Sequence, residues 1–521
     1  MELLMKNIHM CRRAKQVEKQ VVLEEDLNVP DAKPDVEMII QSQEHVVVEH
    51  TRAETGKLYA DGYMEVGILY LDDTAEHRLH RLETRLPFDE TIVMENLESG
   101  EDVRLHYETE DLNVSLINSR KLAIRAIVRY DASVDEIYDI RAAAGVQTEL
   151  PICQKKKKLE LITLAVQKKD ILRLKEEIPL PSNKPNIREL LWENVQLRST
   201  RIQLQEGKLA VQGKLFFFVL YRAEDEGAST QWLEQVIPFE GEVACGDCTE
   251  EMIPDIEVML AQEKLQMKED TDGELRIFYM EGMLELQIRL YENEETEILE
   301  DLYSPERKLL PETESRLCEQ FVMKNASRCK AFGKIQVQGA KPQVLQVAHV
   351  TGSIKIDQVK AEEGGIRIEG AVPVSVLYIS SDDSTPFAVI DGTVPFSHFA
   401  EVPGLDEKCR FTVLPSMEQL SATMADSEEI EIRLTAGLDI FVVRPMEQMC
   451  ILGVEEQEYP PEALAAVPGI TGYIVQENDS LWGIAKNYFL TPQQIVEMNN
   501  LPREEVKKGD RLILMKRVVI N

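Results

Sequence analysis

Nowhere in this sequence do eighteen apolar residues follow one another, so no segment reads as a membrane-spanning helix. Cysteine is scarce: eight in 521 residues, mostly far apart, do not look like the framework of a secreted disulfide protein. The first residues lack an uninterrupted apolar stretch and put Arg12 and Arg13 after the apolar positions, so they do not read as a signal peptide. The expected compartment is therefore the cytosol. Positive charge is also in short supply. Fifty-eight Lys and Arg against 93 Asp and Glu leave a net charge of −35, which repels nucleic acid and anionic membrane alike. A phosphate loop of the G-x-x-x-x-G-K-[ST] form is missing, as is a G-x-G-x-x-G after a strand.

What is present is the composition of a folded chain, 44% hydrophobic and 29% charged, too long for one core. Its strongest signal is internal repetition. Lys33-Pro34, Lys184-Pro185 and Lys341-Pro342 open three similar segments, and a glycine follows each Lys by 23 residues, at Gly56, Gly207 and Gly364. Six further on stand Gly62, Gly213 and Gly370, and eight beyond those Tyr70, Tyr221 and Tyr378. Seventeen after each Tyr comes Pro-Phe, at Pro87-Phe88, Pro238-Phe239 and Pro395-Phe396. A repeat of about 150 residues is a whole domain, far longer than a solenoid unit.

Within each copy the pattern is β. Ile354-Lys-Ile-Asp and Ile366-Arg-Ile-Glu alternate as half-buried strands do, and residues 215–221 form an apolar run suited to a strand buried on both faces. The glycine pair six apart brackets a short strand and its turns. Residues 36–40 and 187–192 are read as one or two helical turns, and Pro373 as an edge or a bulge. Further strands, at 121–130, 283–291 and 438–443, close the copies. The predicted fold is mainly β: three tandem antiparallel β-sandwich-like or open-barrel repeats, spanning 1–150, 151–310 and 311–455. The basic run 155–158 is taken as a solvated linker face and the acidic run 292–300 as a hairpin loop. Residues 456–468, with Pro460-Pro461, read as a linker that frees the last domain.

No catalytic constellation emerges, and neither a cofactor nor a metal is expected. Cys245-Gly-Asp-Cys248 has no second pair for a metal and no βαβ context for redox work, so a loop with two reduced thiols is expected. His77 and His80 would fall on opposite faces at strand spacing.

The last fifty residues are different. They read strand, helix, helix, strand, with Asp479 and Ser480 as N-caps, and Leu481, Ile484, Ala485 and Tyr488 at helical spacing. Thr491-Pro492 restarts a helix, Ile495, Val496 and Met498 give its buried side, and Gly509-Asp510 turns into a final strand. Tyr-x-Val before the turn, Asp-Ser-Leu-Trp482 opening the first helix and Asn-Asn-Leu501 ending the second closely resemble the LysM family. These βααβ modules bind N-acetylglucosamine polymers. Asn478 stands where that family has Gly, and Asn tolerates the left-handed backbone the turn needs. The resemblance implies a groove between two loops: Asn478, Asp479, Ser480, Leu481 and Trp482 facing Leu501, Pro502, Lys507, Lys508 and Gly509. Trp482 is read equally as a core residue and a contact, and Lys486 and Arg511 are further cations available to an acidic protein surface.

Three similar β domains, two of them opening Pro-x-x-Lys-Pro, followed by residues 469–521 as one LysM domain, resemble the SipL family of clostridial spore coat morphogenetic proteins. The third copy departs, with Gln338-Gly-Ala-Lys-Pro. The resemblance implies a non-enzymatic scaffold in the mother-cell cytosol, at the forespore surface. Its partners would be spore coat proteins, chiefly the coat ATPase (stage IV sporulation protein A), bound through the LysM domain. The alternative is binding of peptidoglycan or other N-acetylglucosamine polymers.

Overall fold

The structure, a computed structural model, describes residues 1–515 apart from 75, 226, 338–340 and 504, and the side chains of 12–14, 463 and 464 are outside it. Strands follow one another in three sets. The first is β1 (Glu2–Asn28), β2 (Val36–Glu54), β3 (Lys57–Asp72), β4 (Leu79–Val93), β5 (Val103–Asn118) and β6 (Lys121–Gln147). The second is β7 (Cys153–Pro179), β8 (Ile187–Gln205), β9 (Lys208–Ala223), β10 (Thr230–Ala244), β11 (Ile253–Glu269) and β12 (Leu275–Tyr303). The third is β13 (Lys308–Gln336), β14 (Val344–Gly352), β15 (Lys355–Glu362), β16 (Gly365–Ser380), β17 (Phe387–Glu401), β18 (Arg410–Met424) and β19 (Glu429–Gln457). A short helix α1 (Pro461–Ala466) leads to β20 (Ile470–Ile474), α2 (Leu481–Asn487), α3 (Pro492–Asn499) and β21 (Arg511–Met515).

In the first unit the sheets β1-β6-β5 and β2-β3-β4 face each other, with β5 beside β2 and β1 beside β4, which makes an open barrel. The second and third units repeat this plan. Each landmark of the repeat has a job in it. Gly56, Gly207 and Gly364 sit at hairpin turns with φ of 77°, 74° and 80°, where other residues are strained. Gly62, Gly213 and Gly370 are not turn residues but lie within a strand, opposite Phe88, Phe239 and Phe396. The Phe ring covers the glycine so closely that an added Cβ would lie 3.1, 2.5 and 2.7 Å from it. The Tyr hydroxyls reach back to the Lys-Pro corners: Tyr70 donates to Pro34 O, Tyr221 to Pro185 O and Tyr378 to Pro342 O, at 3.2, 3.2 and 3.0 Å.

The Pro-x-x-Lys corner is clamped in two units by an arginine. Arg120 donates to the carbonyls of Val29, Pro30 and Lys33, and Arg276 to those of Pro181 and Lys184. In the third unit Glu428 holds the equivalent place, its carbonyl accepting from Val337 N as Arg120 O accepts from Val29 N. The departure from the Pro-x-x-Lys pattern thus goes with a glutamate where the other units have the clamping arginine; Gln338 to Ala340 lie outside the described residues.

Several local expectations are corrected. Residues 36–40 and 187–192 are strand, not helix. Register shifts between Val36 and Met38 and between Ile39 and Gln41 break the period of two, as do shifts at Ile187/Glu189 and Leu190/Trp192. The basic and acidic runs are neither linker nor loop but partners on β7 and β12: Lys155 meets Glu300 at 3.0 Å, Lys156 Glu297 at 3.7 Å and Lys158 Glu295 at 2.5 Å. Pro373 lies in the central strand β16, paired with Thr393, and on its other side stands opposite the break between β14 and β15. Having no N–H, it suits a place where the ladder is interrupted. Cys245 and Cys248 are buried, and their backbones make the same bonds to Gly207 as Met94 and Leu97 make to Gly56. They are core plugs in a turn.

The three units share two further cores. One gathers Leu69, Leu71 and Leu79 of the first, Trp192, Phe216, Phe218 and Leu220 of the second, and Ala348, Leu377 and Phe387 of the third. The run 215–221 is indeed buried on both faces: Leu215, Phe217, Val219 and Tyr221 fill their own barrel, while Phe216, Phe218 and Leu220 fill this hub. The other shared core is a seam built from the far ends of the long strands. It contains Ile8, Met10, Ile140, Ala142, Leu159, Leu161, Ile298, Cys318 and Cys450, and continues into two smaller clusters, Ala143 with Leu299, Leu302, Leu309 and Ile451, and Cys11 with Ile162 and Tyr291. Strands of 27 to 29 residues reach about 90 Å, enough to serve a barrel and the seam in turn. A buried ion group ties units one and two, with Arg289 donating to Asp135 at 2.9 Å and meeting Asp255 at 2.6 Å.

Candidate functional site

Two places are candidates for binding. The first is a cavity of about 1470 Å³ between the three units, bordered by strands β5, β11 and β18. Three of its cations are engaged by the protein itself: Arg129 by Glu108 at 2.6 Å, Lys324 by Asp439 at 2.9 Å, Arg328 by Glu418 at 2.7 Å.

The second is the terminal module. Ser480 caps α2, accepting from Gly483 N at 3.0 Å. Asp479, expected to share that work, instead accepts from Tyr473 Oη and from Gln476 N, both at 2.7 Å. The Tyr473 hydroxyl holds the Asp479 carboxyl below the usual range. Thr491 and Gln494 form a reciprocal capping box at the start of α3. Asn478 adopts a φ of 70°, the left-handed conformation expected of it. The two loops expected to border a groove are tied together: Gly509 N donates to Val475 O, Val475 N to Asp510 O, and Lys508 meets Glu477 at 2.6 Å. Asn478, Ser480, Pro502, Lys507, Lys508 and Gly509 are exposed, and Leu501 is half-buried. Leu481 is 5% exposed and fills the small core with Ile484, Ala485 and Ile495.

Trp482 lies elsewhere. Its indole N–H donates to Asp301 Oδ2 at 2.8 Å, and Lys486 Nζ donates to both oxygens of the same carboxylate, each at 2.8 Å. Tyr303 packs edge-on against the indole at 4.8 Å, donates to Leu490 O at 2.8 Å and joins the module's core. The segment 456–468 is no free tether. Tyr459 donates to Ser304 O at 2.9 Å and sets its ring on Phe489 at 4.6 Å, where Phe489 holds a φ of 56°. Asp301, Tyr303, Tyr459 and Phe489 were not among the sequence candidates. No local signal marks them: a carboxylate two residues before a tyrosine also stands at Asp61-Gly-Tyr63 and Glu136-Ile-Tyr138.

His77 is in a turn, with a φ of 43°, and lies 2.8 Å from Glu37, while His80 lies 3.0 Å from Asp72. Among the described residues the group that could hold a metal is Glu49, His50 and Asp61, at the surface. Among them, too, no helix is long and apolar enough to cross a membrane.

Three barrels round a common core, with a small module seated on one strand end, define a multidomain binding protein. The model of the SipL, SPOCS domain matches residues 35–117, 186–268 and 343–425, and that of the LysM domain matches 473–514. The chain therefore carries the SipL SPOCS domain three times, followed by a LysM domain; both are non-catalytic binding domains. No curated protein and no solved structure matches it.

Proposed function

We propose that this chain is a non-enzymatic scaffold of spore coat assembly in the mother-cell cytosol, at the forespore surface. Its LysM domain captures the coat ATPase, stage IV sporulation protein A, and the β units carry that domain and help the coat encase the forespore. The observation that carries this reading is the pairing of three SPOCS domains with one LysM domain in a single chain. The strand sets support a division at 1–150, 151–310 and 311–455, with 456–468 joining them to 469–521.

Capture rests on Trp482 together with the exposed loop residues Asn478, Ser480, Pro502, Lys507 and Lys508. Large aromatics at an interface carry a disproportionate share of affinity. In a pull-down with purified coat ATPase, the full chain retains it, and Trp482→Ala weakens retention by at least about tenfold. Titration with N-acetylglucosamine oligomers runs beside it. Millimolar or tighter sugar binding without capture of the ATPase overturns this reading in favour of a glycan binder.

A further inference from the structure

We propose that the α2 face of the LysM domain is a recognition surface for an extended segment with a carboxylate two residues before a tyrosine, and that Asp301-Leu302-Tyr303 occupies it as a built-in ligand. The proposal deepens the reading of the LysM domain as the partner-binding module and rests on it. In an extended segment, side chains two apart share one face. Here Asp301 and Tyr303 both turn to α2, while Leu302 is buried in the seam with Leu299 and Ile451. The chemistry is complementary group by group. One carboxylate accepts from the Trp482 N–H and the Lys486 ammonium, and the phenol packs on the indole and donates a hydrogen bond to the Leu490 carbonyl.

The repeat supplies an internal control. Register places Tyr303 against Cys153 as Gln147 stands against Glu2 and Gln457 against Lys308. The three units thus offer equivalent strand ends reading Gly145-x-Gln147, Asp301-x-Tyr303 and Glu455-x-Gln457. The module hangs from the third unit but sits on the second, where the acidic-x-aromatic pair is. Twelve residues separate the end of β19 at Gln457 from β20 at Ile470; with Tyr459 released from Ser304 and α1 unwound they span about 40 Å. That is enough slack for the domain to leave its seat. A trans segment of the same chemistry therefore competes with residues 301–303, and the seat acts as a latch: partners that lack such a segment meet Trp482 already engaged.

The test is hydrogen exchange on the full chain, read over residues 481–490, with the exchange of β8–β10 as folding control. Tyr303→Phe, which keeps the ring, and Asp301→Lys, which sets like charges together, are compared with the wild type. Exchange over 481–490 rises by about tenfold in Asp301→Lys and less in Tyr303→Phe. Adding a capped peptide of residues 299–304 at about 5 mM, the order of concentration a short tether supplies, restores protection in both variants. The same peptide with Asn in place of its aspartate does not. Unchanged exchange in both variants, or protection that the peptide fails to restore, overturns the proposal; if Asp301→Lys does not fold, Tyr303→Phe carries the same two outcomes. No coat protein enters this experiment, so its result is independent of the pull-down.

Discussion

The hub between the three β units and the seat of the LysM domain are both contacts between domains, yet they are built from opposite materials. In the hub, strand β9 gives alternate residues to its barrel and to the neighbours, so aromatic and aliphatic side chains close against one another with almost no water-facing edge. At the seat, one tyrosine is buried, Tyr459 bridges Ser304 and Phe489, and a partly exposed carboxylate is shared by an indole and an ammonium. Apolar burial is stable and non-directional, whereas a half-exposed ion pair contributes little and opens readily. The difference teaches which joint is structural and which is free to exchange partners.

Three changes sharpen that contrast. Phe218→Ala removes a ring that is buried in the hub and stacked on His349 at 3.8 Å. It should cost about 3–5 kcal/mol, measured by chemical denaturation. The hub also has a weakness of its own. His349 is 2% exposed, lies between Phe216 and Phe218 near Arg198, and neither ring nitrogen has a partner among the described residues. Burial first, and then the Arg198 charge, push its imidazole down to about 3. Below the ordinary histidine range the unfolded chain takes up a proton that the folded one refuses, so stability falls as pH drops from about 6.5. By pH 5 that loss is about 2 kcal/mol, and His349→Phe should lose that much less than the wild type between pH 7 and pH 5. The smallest effect belongs to the seat. Lys486→Ala should shift overall stability by no more than about 1 kcal/mol while raising exchange over 481–490. A large global loss there would erase the distinction between the two joints.

Much of the fold was legible because the repeat repeats its physics. The glycines, Pro-Phe and Tyr landmarks stand out since each serves a contact that must be remade in every copy: a left-handed turn, a ring over a bare backbone, a hydroxyl on a corner carbonyl. The run 215–221 likewise announced two buried faces. Bulges defeated the reading of 36–40 and 187–192, because each inserts a residue and turns an alternation of two into spacings of three and four. The acidic and basic runs were misplaced because pairing between residues 155 and 300 is invisible to any local window. In the LysM domain the Ser480 and Thr491 caps, the turn at Asn478 and the core around Leu481, Ile484, Ala485 and Ile495 were readable from spacing, whereas Asp479 does not cap and Met498 stays outside the core. The engagement of Trp482 was not, since its partners lie 181 residues away in sequence and nothing local marks Asp301.

The matched SPOCS spans run from β2 to β5, from β8 to β11 and from β14 to β18, which leaves the longest strands outside them. Those strands stitch the trio together: every one enters a private barrel and a communal seam. An open array can gain or lose a repeat at either end, because each repeat touches only its neighbours. A closed bundle cannot. Deleting one copy here would strip a third of the wall from both communal interiors, and adding a fourth would find no vacancy. Copy number in this architecture is therefore a geometric constant, and sequence variation has to be accommodated inside the copies.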